Sequence, residues 1–424
     1  MPEQLASKKK YIFFYRANVS YPKSISRWNE LLKHFILHMI ERYGKKEVET
    51  WYLEVWNNPN IEGMYWYENQ NKYNILFKET FVTIKKILPN IKIGGPSIAI
   101  NLATDQEENC KKWLINFLNY LNENEIIVDF LSIHSYPLMP NTTEDDANSH
   151  ILDKLRYKTF KGLNKAFIRD IDYMKEDIKF LEKIMKEKNY ENIPIILSEW
   201  NAEPSMESKI NDTCFLALSI IYNTLNNFHR VEGMIYWTLS DIFEEYGHYK
   251  NIFHGNFGLL TSNGLKKASY NAYYLLSKLS ENVVERTENY IVTKNFEENR
   301  YQILLFNYSY FDELTRLKLG SKGDFSYKSL EDIKISLKLE GLERGIYKVK
   351  TLYLNKDSGS VYDAYKKMGE PEIIDDEILK FLKSKEQMEL KILKEDIKGS
   401  YTIHESLEPQ SAILIELSKE FLNV

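Results

Sequence analysis

Between Trp28 and Tyr43 the apolar residues Trp28, Leu31, Leu32, Phe35, Met39 and Tyr43 recur at helical spacing, and Gly44 stands where a helix C-cap belongs. This pattern predicts an amphipathic helix. The run Thr50–Trp56 reads as a short strand, followed by a turn at Asn57-Asn58-Pro59-Asn60 and a helix carrying Tyr73, Leu76, Phe77, Thr80 and Ile84. The alternation then repeats. A strand at Ile91–Gly94 precedes a helix at Cys110–Leu121, one at Val128–His134 precedes a helix at Ile171–Met185, and one at Pro194–Ser198 precedes a helix at Asp212–Asn226; a last strand runs Gly233–Thr238.

Short, nearly continuous apolar strands alternating with amphipathic helices indicate a parallel α/β sheet covered by helices, as a barrel or a doubly wound sheet. No Gly-x-Gly-x-x-Gly and no P-loop follows any of the five predicted strands, which favours the barrel. After a helix near Ala268–Leu279 the texture changes to strands with alternating polarity at Tyr301–Phe306, Ile333–Leu339, Tyr347–Tyr353 and Ser411–Leu417, with a helical excursion at Asp375–Ser384. That is the signature of an antiparallel β-sandwich. The expected organisation is a barrel unit over residues 1–280 and a sandwich over residues 281–424.

Composition narrows the partners. The 424 residues carry a net charge of −5, with Lys, Arg, Asp and Glu spread evenly, so no basic stripe is available to track phosphates. Nucleic acid is not an expected partner. Cys110 and Cys214 cannot make a disulfide framework and lie near no histidine cluster, so both are expected to be buried thiols. The N-terminal residues lack an apolar run after their charges, and nowhere do about 18 apolar residues follow one another, so no membrane partner is expected and a cytoplasmic location follows by default.

In parallel α/β barrels the chemistry lies where strands end and loops begin. The first predicted strand ends in Asn57 and Asn58, the third in His134, Ser135 and Tyr136, the fourth in Glu199, Trp200 and Asn201, and the fifth in Trp237, Asp241, Glu244 and Glu245. Carboxylates, amides, a histidine and indoles on one rim fit a sugar-binding site. Metal ligation is disfavoured, because only His134 offers an imidazole among these residues, and no cofactor is expected. Glu199 directly follows the apolar run Ile195-Ile-Leu-Ser198, and a carboxylate there can serve as a glycosidase nucleophile or stand as a salt-bridged surface group. His134 read alone fits a hydrogen-bonded core histidine better than a catalytic group.

The resemblance to glycoside hydrolase family 39, the retaining β-xylosidases, rests on several segments. Trp51-Tyr-Leu-Glu-Val-Trp-Asn-Asn-Pro-Asn60 is similar to the family's Trp-Tyr-Phe-Glu-Val-Trp-Asn-Glu-Pro-Asn, and Ser132-Ile-His-Ser-Tyr-Pro137 to its His-Ser-Tyr-Pro segment. Ser198-Glu-Trp-Asn201 resembles the nucleophile motif, and Tyr236–Glu245 resembles the last barrel strand. Phe253–Gly258 and Ser360–Gly369 have counterparts as well.

The resemblance implies a (β/α)8 TIM barrel with a C-terminal β-sandwich and a small carbohydrate, a xyloside or xylo-oligosaccharide, as ligand. It implies Glu199 as nucleophile, Asn57 as a contact to the sugar 2-hydroxyl, and His134, Tyr136, Trp237 and Glu244 as sugar contacts.

Two departures stand out. Asn58 occupies the family's acid/base glutamate position, and an amide neither donates a proton to a leaving oxygen nor deprotonates water. Glu54, four residues earlier, matches a separate structural glutamate. Second, Met1–Ser7 aligns just after the family's third barrel strand, so the barrel is expected to be N-terminally incomplete, with about five strands and open edges through which copies self-associate. The expected activity is therefore that of an impaired xylosidase; the alternatives are a non-catalytic sugar-binding protein and a nonfunctional gene fragment.

Overall fold

The computed structural model describes residues 1–100, 106–139, 167–202, 208–242, 251–312 and 327–420. The first half holds a five-stranded parallel sheet of β1 (Tyr52–Glu54), β2 (Lys92–Ala99), β3 (Phe130–Ser135), β4 (Ile195–Trp200) and β5 (Gly233–Tyr236), in that spatial order. Its longer helices are α1 (Ile25–Tyr43), α2 (Gln70–Ile87), α3 (Gln106–Glu123), α4 (Tyr173–Glu187), α5 (Cys214–Asn227) and α6 (Ala268–Leu276). This is half of a (β/α) barrel. Among the described residues β1 and β5 each pair on one side only, so the sheet is open.

Local chemistry accounts for the boundaries. Helix α1 begins at Ile25 because the Ser24 side chain accepts the Arg27 amide, and it ends at Gly44, whose φ of 86° is disfavoured for residues with a Cβ. Asn69 and its side-chain carbonyl start α2 in the same way, through the Lys72 amide. The apolar stripe of α2, including Tyr73, Leu76, Phe77 and Ile84, is fully buried with Phe117 of α3 and with Ile93 and Ile98 of β2 in one continuous core. Cys110 and Cys214 are buried free thiols.

Three strand predictions need correction. β1 is three residues long rather than seven, because Trp56 and Asn58 take left-handed backbone angles (φ 73° and 47°) that end regular pairing. β2 continues past the Gly94-Gly95-Pro96 segment to Ala99, since Pro96 sits at a register shift between Pro96 and Ile98, where a missing N–H is tolerated. β4 likewise takes in Glu199 and Trp200.

The second half is antiparallel. β6 (Val283–Arg286), β7 (Tyr290–Asn295), β8 (Arg300–Asn307), β9 (Ile333–Glu340), β10 (Gly345–Leu354), β11 (Glu389–Ile397), β12 (Ser400–Leu407) and β13 (Ser411–Lys419) form a six-stranded sheet in the order β6-β7-β8-β13-β10-β11 and a pair β9-β12. Helices α7 (Val361–Lys367) and α8 (Asp376–Ser384) lie between β10 and β11 in sequence. The period-2 rule divides the sheet's two faces. Ile303, Leu305, Ile413 and Ile415 pack with Leu337 and Ile403 of the β9-β12 pair, whereas Leu304, Phe306, Leu352 and Leu414 join the core shared with α5 and α6. The sandwich therefore packs directly on the barrel half, and β8 and β13 are apolar on both faces.

Candidate active site

Most of the candidate residues gather at the C-terminal ends of β1 to β4. In the register of the parallel sheet Ala99 lies opposite His134, and His134 lies opposite Glu199, so partner side chains rise from adjacent strands toward one place. Four strand ends are joined by polar contacts. The Ser97 hydroxyl stands 3.4 Å from Asn57 Oδ1 and 2.9 Å from His134 Nε2. His134 Nδ1 lies 3.4 Å from Glu199 Oε2, and the Tyr136 hydroxyl donates to Glu199 Oε1 at 2.5 Å.

The electrostatics follow from burial. Glu199 is 14% exposed. Burial raises its carboxyl from 4.5 to about 7, with the Tyr136 hydrogen bond pulling it down and the negative charge of Glu54 pushing it up. His134 is 1% exposed, and burial lowers it to about 3, so the imidazole is neutral at physiological pH. The salt-bridge distance between His134 and Glu199 is thus not an ion pair in the neutral range. The contact is between a neutral ring nitrogen and a carboxyl that gains and loses its proton near neutrality.

Below this rim Glu54 points into the barrel half. Burial raises its carboxyl, while the hydroxyls of Ser132, Ser198 and Ser97 oppose that rise. Glu54 as a whole is half-buried, and its Oε1 is enclosed. Asn58, 6% exposed, is held by its amide N–H to the Ser97 carbonyl at 2.9 Å, and its side-chain Oδ1 is buried without a hydrogen-bond partner among the described residues.

The far side of the site is fixed by Asn201. Its side chain donates to the Trp237 carbonyl at 2.7 Å and to the Tyr236 hydroxyl at 3.2 Å, while the Trp237 N–H donates to the Trp200 carbonyl at 3.0 Å. Trp237, half-buried, is thereby tied to the two residues that follow Glu199. A buried ion cluster supports this edge: Lys267 Nζ lies 2.6 Å from Asp212 and 2.8 Å from Asp241. The two carboxylates accept the Gly255 and Gly258 amides, both at 2.8 Å, and so hold the 251–258 loop. On β3 the Ser135 hydroxyl donates to Asp177, which also binds Arg169, and this anchors the residue between His134 and Tyr136.

The structure brings Asn57, His134, Tyr136 and Glu199 into one connected set, with Asn58 and Trp237 at its margins. Glu244 lies outside the described residues. Ser97 was not anticipated; the signal was the polar residue after Gly-Gly-Pro, hidden by reading the strand as ending at Gly94. Among the described residues no group of three or more His, Cys, Asp or Glu could hold a metal ion, and no helix is long and apolar enough to cross a membrane.

The family model of glycosyl hydrolases family 39 matches residues 1–400. A beta-xylosidase of Caldicellulosiruptor saccharolyticus is 32% identical over 288 residues, covering 67% of this chain and 53% of the relative. A beta-xylosidase of Geobacillus stearothermophilus is 27% identical over 373 residues, covering 88% of this chain and 66% of the relative. The chain thus spans between about half and two thirds of the length of these relatives. The crystal structure of a monomeric beta-xylosidase from Caulobacter crescentus CB15 superposes with a TM-score of 0.83 at 24% identity, over 99% of this chain and 80% of that one, a likeness of fold.

Proposed function

The chain belongs to glycosyl hydrolases family 39, and from that premise we propose that it is a xyloside-directed, retaining-type glycosidase with Glu199 as nucleophile and a disabled acid/base position at Asn58. The observation that carries this reading is the environment of Glu199: a nearly buried carboxyl at a strand end, held on one oxygen by Tyr136 and faced on the other by a neutral histidine. Such a group is aimed and kept largely off solvent, and the Tyr136 hydrogen bond favours its ionised form, the form that attacks an anomeric carbon, against the burial that raises it. Asn57, His134, Tyr136 and Trp237 are the proposed contacts to the terminal sugar, and Glu244 belongs to the same proposal.

Asn58 limits the reaction in both halves. In the first, the leaving oxygen departs without a proton, so only stable phenolates leave readily; in the second, water attacks the glycosyl-enzyme without a base. General acid/base help is worth roughly 10²–10⁴-fold in rate, so turnover of alkyl xylosides is slow. Asn58→Glu should raise hydrolysis of xylobiose far more than hydrolysis of a dinitrophenyl xyloside. Equal, small effects on both substrates in a protein that still binds xylose would contradict the assignment of Asn58. A second reading, sugar binding without cleavage, is favoured by the same amide, which binds hydroxyls but cannot exchange protons. Saturable xylo-oligosaccharide binding with no turnover of even the dinitrophenyl substrate would select it.

A further inference from the structure

The contacts from Glu199 to Asn57 form a chain in which two orders of the hydrogens give each group a complementary neighbour. A neutral imidazole has one N–H and one lone pair, so its two nitrogens always play opposite roles. With Glu199 protonated, the carboxyl donates to Nδ1, Nε2–H donates to the Ser97 oxygen, and the Ser97 hydroxyl donates to Asn57 Oδ1. With Glu199 ionised, Nδ1–H donates to the carboxylate and Nε2 accepts from the Ser97 hydroxyl, which then turns away from Asn57. One proton leaves to solvent between the two states, and the imidazole carries no charge in either.

Both orders become available once His134 Nδ1 and Glu199 Oε2, 3.4 Å apart and not hydrogen-bonded as they stand, close on each other. Ser97 Oγ lies within reach of Nε2 at 2.9 Å and of Asn57 Oδ1 at 3.4 Å, and the buried Nδ1 faces Glu199 Oε2 at 3.4 Å with no hydrogen bond of its own. A hydroxyl is the small side-chain group that both donates and accepts, so it satisfies Nε2 in either tautomer. Ser97 holds this place at a φ of 59°, left-handed backbone that is disfavoured for a residue with a Cβ, while its N–H donates to the Ser132 hydroxyl and its carbonyl accepts from Asn58.

We propose that Ser97 is a positioning residue that couples the ionisation of Glu199 to the tautomer of His134 and to the hydrogen bonding of Asn57. The charge that forms on Glu199 is thereby stabilised by an N–H that was not aimed at it beforehand. In the same step the carbonyl of Asn57, an exposed side chain at the rim, is released for a ligand hydroxyl. The titratable groups facing Glu199 among the described residues are His134 and Tyr136 from the β3 side and Glu54 from β1. Of these only His134 lies on the chain to Asn57.

The proposal concerns proton order and not bond cleavage, so it stands or falls separately from the nucleophile assignment. The test is the side-chain ¹⁵N spectrum of histidine-labelled protein between pH 5 and 9, with the His134 signals identified by their loss in His134→Gln. The expected result is a neutral His134 throughout, protonated on Nε2 at low pH and on Nδ1 at high pH, with the change following the ionisation of Glu199. In both Ser97→Gly and Ser97→Ala, Nε2–H loses its acceptor, so Nδ1–H should persist over the whole range and the Glu199 midpoint should fall by about one pH unit. Glycine relaxes the left-handed backbone and alanine does not, so agreement between the two variants isolates the hydroxyl. A single tautomer in the unmodified protein, an unchanged midpoint in both variants, or an effect confined to Ser97→Ala would overturn the proposal.

Discussion

The substitution Glu199→Gln should make the protein more resistant to denaturation at alkaline pH while leaving its acid-side stability nearly unchanged. In the folded chain burial raises this carboxyl from 4.5 to about 7, so the folded state holds the proton that the unfolded state releases above about 4.5. A raised carboxyl favours folding while protonated, and that contribution is lost as pH rises from about 4.5 to about 7. At about 1.4 kcal/mol for each pH unit the loss amounts to about 3 kcal/mol. The glutamine side chain does not ionise, keeps an oxygen to accept from Tyr136, and escapes this loss. Guanidinium unfolding of both proteins at pH 5 and pH 8 should therefore show a stability difference that shifts by about 3 kcal/mol in favour of the variant at the higher pH. His134 acts in the opposite sense, destabilising the fold as pH drops from 6.5 toward about 3, but it is present in both proteins and cancels in the difference. A difference that is the same at both pH values would refute the reasoning, because it would mean that Glu199 ionises in the folded chain as it does in water.

Two further outcomes follow from the same structure. Lys267→Met should lower unfolding free energy by about 3–5 kcal/mol in the same assay, since Asp212 and Asp241 are left as uncompensated buried carboxylates; a loss below about 1 kcal/mol would show that the cluster is dispensable. Among the described residues β5 pairs on one side only, and Ile235 (56%) and, just beyond it, Leu239 (66%) are exposed, so the chain should show concentration-dependent association in sedimentation velocity that Ile235→Lys with Leu239→Lys reduces; a monomer at every concentration would contradict it.

Much of this architecture is legible in the sequence because burial and period coincide. The stripe Tyr73, Leu76, Phe77, Ile84 becomes the buried face of α2, and Ile195-Ile-Leu leads into Glu199 on a strand enclosed by its neighbours. Strands without that coincidence escape notice. β6 is exposed along its whole length and β11 along most of it, so their apolar residues, Val283 and Val284 in the one and Leu390, Ile392 and Leu393 in the other, follow no buried face.

At the site, Asn57, His134, Tyr136 and Glu199 can be found among a wider set of polar residues at strand ends, and the family resemblance is what singles them out. Ser97 cannot, because Gly-Gly-Pro ordinarily breaks a strand and here is absorbed by a bulge. Nor does the sequence reveal that His134 is buried deeply enough to stay neutral, a property set by the packing of β2, β3 and β4 together.

The nucleophile assignment is tested most directly by trapping. A 2-deoxy-2-fluoro-β-xyloside with a dinitrophenolate leaving group needs no acid for its departure, and the fluorine slows release of the sugar, so an intact nucleophile accumulates as a covalent adduct even with asparagine at position 58. Mass spectrometry of the intact protein followed by peptide mapping should find one added fluoroxylosyl group, located on Glu199. An adduct on a different carboxylate, or none from a protein that binds the reagent, would contradict the assignment.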